Sequence, residues 1–413
     1  MALRREEIPD RHLDAPRICM AMLAANGGSA VVAQELGLAL GRSGFSVRYC
    51  QPGTSSGSSN STDNSATGTG TNSGGAPGSP QFVLDAAPGE RTSATLDVPA
   101  GLGGCLDAAG GLLRIHDTWP FDLLHVHSFQ VFGYPAQVLR RLRGVPYVVT
   151  CHGSDVLNPS LLDQHREVAA EILRHAAAVT CVSRHVADAL QRKIPELGPV
   201  QTIGNFTRIS WQNRDFSARA EPGRFLHVSS LRPVKRPELL LAAFGAVQRR
   251  DPGARLAIVT TGNGMRRLDG LIGRGVHDGR GLIPIDGDRD PGAPAREYAR
   301  AQALVVTSEF EGFGLVALEA LQYRVPVVAS ATGALPEVLG ADWPYLVADR
   351  PEPYLAEALA ETMLRAAGAP DPALPMLTRR ILARHQGSKQ VGAYSRLYRQ
   401  VLAEKGQVAC LAS

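Results

Sequence analysis

Short apolar runs alternate with amphipathic segments along most of the chain. Each run lies between turn signals and is typical of a strand that is buried on both faces of a parallel sheet. The segments between them repeat their apolar positions at helical spacing, which predicts helices that cover those sheets. The predicted strands occupy residues 17–23, 45–50, 123–126, 147–151, 178–182, 225–229, 256–260, 282–285, 303–307 and 325–329. The pattern therefore predicts an α/β fold with two Rossmann-like domains facing a central cleft.

Polar stretches interrupt this pattern and suggest the domain limits. We expect one domain over residues 1–208, a second over 209–385, and a final helical segment over 386–413. Residues 51–80 are almost wholly Gly, Ser, Thr, Asn and Pro. Such a segment buries too little apolar surface to offset the entropy of ordering it. We therefore predict a disordered insertion at 51–80.

The composition narrows the class of protein. A length of 413 residues exceeds what one hydrophobic core usually supports, which agrees with two domains. The net charge of +4 comes from 43 basic and 39 acidic residues spread along the chain, so no nucleic-acid-binding patch is predicted. No apolar run is long enough for a membrane span, and the charged start lacks the apolar core of a secretion signal. We therefore expect a cytoplasmic protein, with its six scattered cysteines reduced.

A glycine-rich turn with two glutamates follows one strand of the second half. Glu311 lies in the turn, and Glu319 lies in the helix that follows. The N–H groups of Phe313, Gly314 and Leu315 open that helix and can bind phosphate oxygens. Carboxylates beside such a site can accept hydrogen bonds from sugar or ribose hydroxyls. Taken alone, however, the two glutamates fit a helix-dipole partner and a solvated helix residue better.

A basic loop follows the first strand of the second half. Arg232 and Lys235 lie within residues 229–236, where two cations at a strand end can neutralise a diphosphate. A solvated basic loop explains these residues equally well when the loop is considered by itself.

Strand ends in the first half carry glycines and histidines. Gly27 and Gly28 offer backbone amides near a helix start, but their spacing does not match G-x-G-x-x-G, which counts against an oxidoreductase. His125 and His127 share one face of a strand, and no carboxylate or cysteine completes a ligand set with them. We therefore predict no metal and interpret His152, at the end of the next strand, as a hydrogen-bond donor to a substrate.

These motifs resemble a known enzyme family. Residues 311–319 are similar to the E-x7-E motif of the retaining GT-B glycosyltransferases of family 4, and residues 231–236 resemble their diphosphate-binding loop. Within that family the resemblance is to the N-acetylglucosaminyl malate synthases of bacillithiol biosynthesis, and the hypothesis extends to the 2-deoxystreptamine N-acetylglucosaminyltransferases of aminoglycoside biosynthesis. The motifs similar to the malate synthases are, in chain order, residues 27–32, 124–127, 152–155, 204–206 and 234–236.

The resemblance implies a UDP-sugar donor, either UDP-N-acetylglucosamine or UDP-glucose, retention at the anomeric carbon, and no cofactor. It implies that the first domain binds the acceptor, the second binds the nucleotide sugar, and the last helix crosses back to the first domain. Glu311 would contact the sugar and Glu319 the ribose. Arg232 and Lys235 would contact the β-phosphate, and His152 the sugar and the acceptor. The implied catalytic residues are His152, Glu311, Arg232 and Lys235; the implied donor-binding residues are Gly27, Gly28, Gly262, Phe313, Gly314, Leu315 and Glu319; the implied acceptor-binding residues are His127, Ser154, Asp155 and Asn205.

The acceptor is the most open part of this interpretation. Only four of the 43 basic residues are lysines, which suggests a GC-rich, actinomycete-like source, where bacillithiol is not the expected thiol. The leading hypothesis is therefore an aminocyclitol such as 2-deoxystreptamine in antibiotic biosynthesis, with Asp155 pairing with its ammonium groups. Transfer to L-malate or to inositol phosphate is the alternative, although the first domain shows no clear basic cluster for a phosphate. A non-enzymatic sugar-nucleotide-binding protein, a sugar-nucleotide epimerase and a homo-oligomer all stay open.

Overall fold

A computed structural model describes residues 15–22, 27–52, 82–85, 102–127, 129–158, 162–208, 220–368 and 371–411. The predicted insertion at 51–80 lies outside these residues except for Gln51 and Pro52, which end a strand. Part of the polar stretch around the predicted domain limit, residues 209–219, also lies outside them.

The described chain forms two sheets, and helices connect most of their successive strands. The strands of the first sheet are β1 Arg17–Met22, β2 Ser46–Pro52, β3 Phe82–Asp85, β4 Leu123–His127, β5 Tyr147–Cys151, β6 Ala178–Cys181 and β7 Gln201–Thr202. The strands of the second are β8 Arg224–Val228, β9 Arg255–Thr260, β10 Leu282–Asp286, β11 Ala303–Val306, β12 Val327–Ser330 and β13 Leu346–Val347. The helices are α1 Gly28–Gly41, α2 Leu102–Thr118, α3 Phe129–Arg143, α4 Ser154–Leu157, α5 Arg166–Arg174, α6 Arg184–Lys193, α7 Pro237–Arg250, α8 Gly262–Gly273, α9 Ala293–Arg300, α10 Leu315–Gln322, α11 Leu335–Leu339, α12 Tyr354–Ala367, α13 Leu374–Arg384 and α14 Gly387–Leu411.

Both sheets have the strand order of a Rossmann fold. The first runs β3-β2-β1-β4-β5-β6-β7, and the second runs β10-β9-β8-β11-β12-β13 with every pair parallel. In each sheet the order reverses next to its first strand, and the loops at the carboxyl ends of strands near such a reversal are where ligands bind in this type of fold. The prediction of two Rossmann-like domains is confirmed.

All ten predicted strands are present, and their ends differ from the prediction by at most two residues. The strand predicted at 325–329 begins only at Val327, because Pro326 has no N–H to donate and Arg324 adopts a left-handed backbone conformation with φ 60°. Three short strands were missed, namely β3, β7 and β13. Of these, β3 is antiparallel to β2, and β7 and β13 have only two residues each, too few to show a period.

The chain divides into two compact units. The first comprises Met1–Thr150, Glu167–Val179 and Tyr394–Ser413, and the second comprises Cys151–Arg166 and Thr180–Ala393. The loop that carries His152 therefore belongs to the second unit, and most of α14 belongs to the first. The predicted domain limits at 208 and 385 stay predictions.

A buried polar network ties α14 into the first unit. His125 on β4 is completely buried, and its Nε2 shares a hydrogen bond of 2.7 Å with Thr150 Oγ1. Its Nδ1 shares one of 2.5 Å with the hydroxyl of Tyr398, and the hydroxyl of Tyr394 lies 3.2 Å from Thr150 Oγ1. Buried polar groups that are shielded from water need hydrogen-bond partners within the protein. These bonds therefore fix the position of α14.

Candidate active site

Glu311 lies in the loop that follows β11, where its carboxylate is held by two donors. Lys235 Nζ donates to Glu311 Oε2 at 2.6 Å, and Ser308 Oγ donates to the same oxygen at 3.2 Å. The side chains of Lys235 and Glu311 are 21% and 15% exposed, so both keep an accessible edge. The structure thus brings together two of the predicted catalytic residues as an ion pair at the carboxyl end of the second sheet.

The backbone of the Glu311 loop is held from the neighbouring strand end. Ala334 N–H donates to the carbonyl of Glu311 at 2.8 Å, and Thr332 Oγ1 donates to the carbonyl of Ser308 at 2.7 Å. Gly333 has φ +57°, and a Cβ there would lie 2.4 Å from the carbonyl oxygen of Glu311. Only glycine allows this approach, so the Glu311 backbone has little freedom.

The basic loop after β8 is bonded to the Glu311 loop along its backbone. Thr307 Oγ1 donates to the carbonyl of Lys235 at 2.8 Å, and Glu309 N–H donates to the carbonyl of Val234 at 2.8 Å. Arg232 lies at the start of the 3₁₀ turn Pro233–Lys235, is exposed, and has no ion-pair partner among the described residues. It is therefore a cation available to a ligand beside the Lys235 and Glu311 pair.

Two glycines bring the His152 loop against the Glu311 loop, backbone to backbone. A Cβ on Gly153 would lie 2.6 Å from the Cα of Gly312, and a Cβ on Gly312 would lie 2.3 Å from the carbonyl oxygen of His152. Gly153 also has φ +120°, a conformation that other residues rarely adopt. The close approach puts the predicted substrate-binding histidine next to the glutamate loop within the second unit.

His152 is neutral in this environment. Burial of its ring lowers the pKa of His152 to about 4, although part of the residue stays accessible. A neutral imidazole offers one N–H donor and one acceptor, so at neutral pH it can bond to a hydroxyl without adding charge.

The other two predicted residues of this loop differ in exposure. Ser154 begins α4 and is exposed. Asp155 is completely buried, and its two oxygens accept the backbone N–H groups of Gly153 at 2.9 Å and His152 at 3.3 Å. In this conformation Asp155 stabilises the loop and presents no surface to an acceptor, so the predicted pairing of Asp155 with an ammonium group is not supported by the structure.

Ser183 is a residue that the sequence reasoning missed. It is the N-cap of α6, where its Oγ accepts from Val186 N–H, and the same hydroxyl donates to the carbonyl of Gly312 at 2.7 Å. A serine directly after a predicted strand and before a helical period is an N-cap signal, but its second bond joins residues 129 positions apart.

The start of α10 forms a potential anion site. Gly314 is its N-cap with φ 88°, no side chain caps it, and the first N–H groups of an α-helix have no partner within the helix. Phe313 is buried with its ring edge-on to His385 at 5.3 Å, while Leu315 is the first helical residue. Phe313, Gly314 and Leu315 thus lie at a helix start, and their binding of the donor stays a prediction.

Glu319 differs from the prediction in its surroundings. It is 3% exposed and lies inside α10, where its Oε1 pairs with Arg208 Nε and its Oε2 accepts the hydroxyl of Tyr298 at 3.0 Å. Neither Arg208 nor Tyr298 was predicted, because no local motif marks them.

The remaining predicted residues fall into two groups. In the second unit, Asn205 is buried, and Gly262 begins α8 with its N–H bound to Asp288 Oδ2 at 2.9 Å. Gly27, Gly28 and His127 belong to the first unit. The first two are exposed at the start of α1, and His127 is 1% exposed with its ring 4.0 Å from that of His125.

Neither a membrane helix nor a metal cluster is seen in the described part of the chain. None of its helices combines the length and the apolar character that a membrane span requires. No three His, Cys, Asp or Glu side chains converge there as metal ligands would.

Two family models match most of the chain. A glycosyl transferase 4-like domain matches residues 27–205, and glycosyl transferases group 1 match residues 222–366. The second of these regions contains Glu311, Glu319 and the basic loop.

Several relatives and solved structures are similar to the chain. A D-inositol 3-phosphate glycosyltransferase of Frankia alni is 32% identical over 295 residues, which cover 63% of this chain and 69% of that protein. One of Actinosynnema mirum is 31% identical over 256 residues, which cover 55% of this chain and 60% of that protein, so the chain spans about three fifths of its length. A sucrose-phosphate synthase of Thermosynechococcus elongatus shares the fold with a TM-score of 0.73 at 22% identity, covering 94% of this chain and all of that one. The chain therefore belongs to the GT-B glycosyltransferases of family 4.

Proposed function

We propose that this chain is a retaining hexosyltransferase that moves a sugar from a UDP-sugar to a hydroxyl of a small cyclitol. The observation that carries the proposal is the Lys235 and Glu311 ion pair, with the exposed Arg232 in the same basic loop as Lys235 and the uncapped start of α10 shortly after Glu311 in the chain. Cations and free N–H groups suit a diphosphate, and the carboxylate suits sugar hydroxyls, so one end of the sheet offers both halves of a nucleotide-sugar site.

The diphosphate would lie against Arg232, Lys235 and the first N–H groups of α10. A bound diphosphate draws the Lys235 ammonium partly from Glu311, because a phosphate oxygen competes for its three N–H donors. The freed edge of Glu311 then accepts hydrogen bonds from the sugar. This exchange of partners requires an ammonium that is neither fully buried nor fully exposed, as Lys235 is.

The reaction proceeds on one face of the sugar. The bond from the anomeric carbon to the β-phosphate oxygen breaks, and a bond from that carbon to the acceptor oxygen forms on the same face. The acceptor proton passes to the leaving phosphate oxygen, so the products are the glycoside and UDP. Arg232 and Lys235 stabilise the negative charge that develops on the phosphate, and neutral His152 bonds to the sugar.

For the acceptor we place an inositol phosphate before an aminocyclitol. The similar proteins of Frankia alni and Actinosynnema mirum bear the name D-inositol 3-phosphate glycosyltransferase. The aminocyclitol hypothesis came from the scarcity of lysine, and Asp155, the residue expected to pair with its ammonium groups, is completely buried and bonded to its own loop. The donor sugar follows the original expectation, UDP-N-acetylglucosamine first and UDP-glucose second, and we place the reaction in the cytoplasm, where such donors are made.

A product assay tests the proposal. The purified protein is incubated with UDP-N-acetylglucosamine or UDP-glucose and, in separate reactions, with inositol 3-phosphate, 2-deoxystreptamine or L-malate. UDP release and the mass of the product report turnover, and the proton coupling at the anomeric carbon reports retention. Turnover with only 2-deoxystreptamine or only L-malate would reassign the acceptor, and inversion would contradict the mechanism.

Two neighbouring glutamates provide the matched variants. Glu311→Gln removes the charge that pairs with Lys235, and we expect turnover to fall by about 100-fold or more. Glu309→Gln changes an exposed glutamate two residues away and should leave turnover unchanged. Donor consumption without any acceptor would instead indicate an epimerase or hydrolase. Tight UDP-sugar binding without turnover would indicate a sugar-nucleotide-binding protein.

A further inference from the structure

Two residues outside the predicted site, Arg208 and Tyr298, each bind one carboxylate oxygen of Glu319. Arg208 Nε pairs with Oε1, and the Tyr298 hydroxyl donates to Oε2 at 3.0 Å. The side chain of Glu319 is 4% exposed, against 23% for Arg208. A carboxylate so enclosed cannot turn to meet a ligand, so its orientation is set before any ligand arrives.

The Tyr298 hydroxyl donates a hydrogen bond to Glu319. Burial and the nearby Glu319 carboxylate raise the pKa of Tyr298 well above its usual value, so the hydroxyl stays protonated. It is held in place by stacking on Tyr323, with ring centroids 5.6 Å apart, and also lies 3.3 Å from the carbonyl of Val316.

Glu319 keeps unused capacity to accept hydrogen bonds. A carboxylate has about four lone-pair sites, and the described residues fill one on each oxygen of Glu319. The buried pair of Arg224 with Glu297 is different, because there a second arginine, Arg300, bonds to the other carboxylate oxygen. At Glu319 the neutral Tyr298 takes the place of the second arginine. Only one cation, Arg208, therefore compensates the charge of the Glu319 carboxylate.

We propose that Arg208 and Tyr298 are positioning residues that set the Glu319 carboxylate to receive the two ribose hydroxyls of the donor nucleotide. The inference rests on the proposed function. Glu319 lies four residues after Leu315, about 6 Å along the helix from the N–H groups that face the diphosphate. This separation suits a ribose joined to that diphosphate, and a carboxylate fixed in advance binds it without the entropy cost of ordering.

The test measures how strongly the protein prefers UDP to an analogue without ribose hydroxyls. A purely structural role of Arg208 and Tyr298 would leave this preference unchanged. Calorimetry measures the affinity of the full chain for UDP and for 2′,3′-dideoxy-UDP, which lacks both hydroxyls. We expect the wild type to prefer UDP by about tenfold or more, because two hydrogen bonds to a charged acceptor are lost in the analogue. Glu319→Gln should reduce this ratio, which assigns the ribose contact.

Arg208→Lys and Tyr298→Phe then test the proposal. Both variants keep the size and burial of the side chain, and we expect each to lower the ratio by about threefold or more while affinity for the dideoxy analogue stays within about twofold. Tyr345→Phe is the matched control, because its hydroxyl accepts from Asp371 N–H elsewhere in the same unit, and its ratio should equal that of the wild type.

The outcomes separate this inference from the proposed function. A wild type that does not bind UDP would contradict the proposed function itself. A wild type and Glu319→Gln that behave as expected, with an undiminished ratio in Arg208→Lys and Tyr298→Phe, would overturn the positioning role alone. Tighter UDP binding by Arg208→Lys would also overturn the positioning role, because Arg208 would then compete with the ribose for the Glu319 carboxylate.

Discussion

Opposite charges meet at both glutamates of the motif. Glu311 pairs with Lys235, and Glu319 pairs with Arg208, so each carboxylate is already neutralised within the protein. Among the predicted charged residues of the donor site, Arg232 differs. It is exposed and has no ion-pair partner in the part of the chain that the structure describes. We propose that a phosphate of the donor pairs with this cation.

Replacing Arg232 should therefore weaken donor binding without weakening the fold. We expect Arg232→Ala to lower UDP affinity by about tenfold and to shift the melting temperature by about 1 °C at most, since an exposed side chain is removed. Calorimetry at low and moderate salt should show the difference shrinking as salt screens the charges.

Arg249→Ala serves as the control for Arg232→Ala. Arg249 is also exposed, but it pairs with Glu357 at 2.6 Å, and neither residue is among the predicted site residues. An equal loss of UDP affinity in both variants would show that Arg232 acts only through overall charge.

At this scale the sequence identifies residue types but not their partners. Spacing alone predicts that Glu311 and Glu319 flank a helix start, because both lie within one local motif. The partners of Glu319 lie 111 and 21 residues away, and nothing local to Arg208 or Tyr298 marks them. The burial of Asp155 could not be predicted for a related reason, since burial depends on the whole loop and not on residue type.

Among the elements, the strand-end loops matter most, and glycines set how closely they pack. The Gly153 and Gly312 contact leaves no room for a methyl group on either side. Ser183 adds a hydrogen bond to the carbonyl of Gly312, so three strand ends converge on one residue that has no side chain.

Gly312→Ala should damage the site through its backbone. The new Cβ would lie 2.3 Å from the carbonyl oxygen of His152, so one of the two loops must move. We expect a loss of about 1–3 kcal/mol in the free energy of unfolding and a large loss of turnover. Urea denaturation and the product assay measure the two effects.

Gly270→Ala is the glycine control. A Cβ at this helical position meets nothing within 4 Å, so the substitution should be neutral or should stabilise the protein by about 0.5 kcal/mol. A fully active Gly312→Ala variant would contradict the close packing of the two loops.

The last helix depends on its two buried tyrosines. Tyr398→Phe leaves the buried Nδ1 of His125 without the bond that the hydroxyl makes, and we expect it to cost about 1–3 kcal/mol. Tyr134→Phe, at a residue that is 38% exposed in the same unit, should cost less than about 0.5 kcal/mol. Thermal unfolding followed by circular dichroism compares the two variants, and equal melting temperatures would contradict a role of the network in stability.

The sequence predicts strands well where an apolar run of several residues lies between turn signals. The ten predicted strands have such a run, and they were found. The strands β7 and β13 have two residues each and form because they pair with a neighbouring strand. A local sequence pattern does not predict such pairing.

Across the whole molecule, three histidines with lowered pKa values link stability to pH. Burial lowers the pKa values of His152, His227 and His385 to about 4 from 6.5, and all three belong to the second unit. The unfolded chain therefore holds more protons than the folded chain between these values. The free energy of unfolding should fall as the pH drops from about 6.5 towards 4 and should stay flat with respect to these groups above 7.

His227 and His385 are both less than 10% exposed, so solvent screens little of their contribution to the pH dependence of the unfolding free energy. Each should contribute about 2 kcal/mol to the loss at pH 5. Urea unfolding at pH 7 and pH 5 measures the loss, and His385→Gln, which stays neutral, should show a smaller difference between the two pH values. An identical difference in that variant would contradict the effect assigned to His385.

The two sheets follow from the sequence because every buried strand carries its own apolar run. The division into units does not, because the first unit takes in residues from both ends of the described chain and from its middle. Sequence order suggests a limit between halves, whereas compactness depends on contacts such as that between Thr150 and Tyr394, 244 residues apart.

That long separation has a consequence for how the protein is made. On a ribosome, β4 and β5 leave the exit tunnel long before Tyr394 and Tyr398 are added, so His125 waits without its final hydrogen bond while the whole of the second unit is synthesised. The second unit is complete first, although it comes later in the chain, and the first unit closes last. A chain truncated after Ala393 and released from the ribosome should therefore be sensitive to protease in its first unit and resistant in its second.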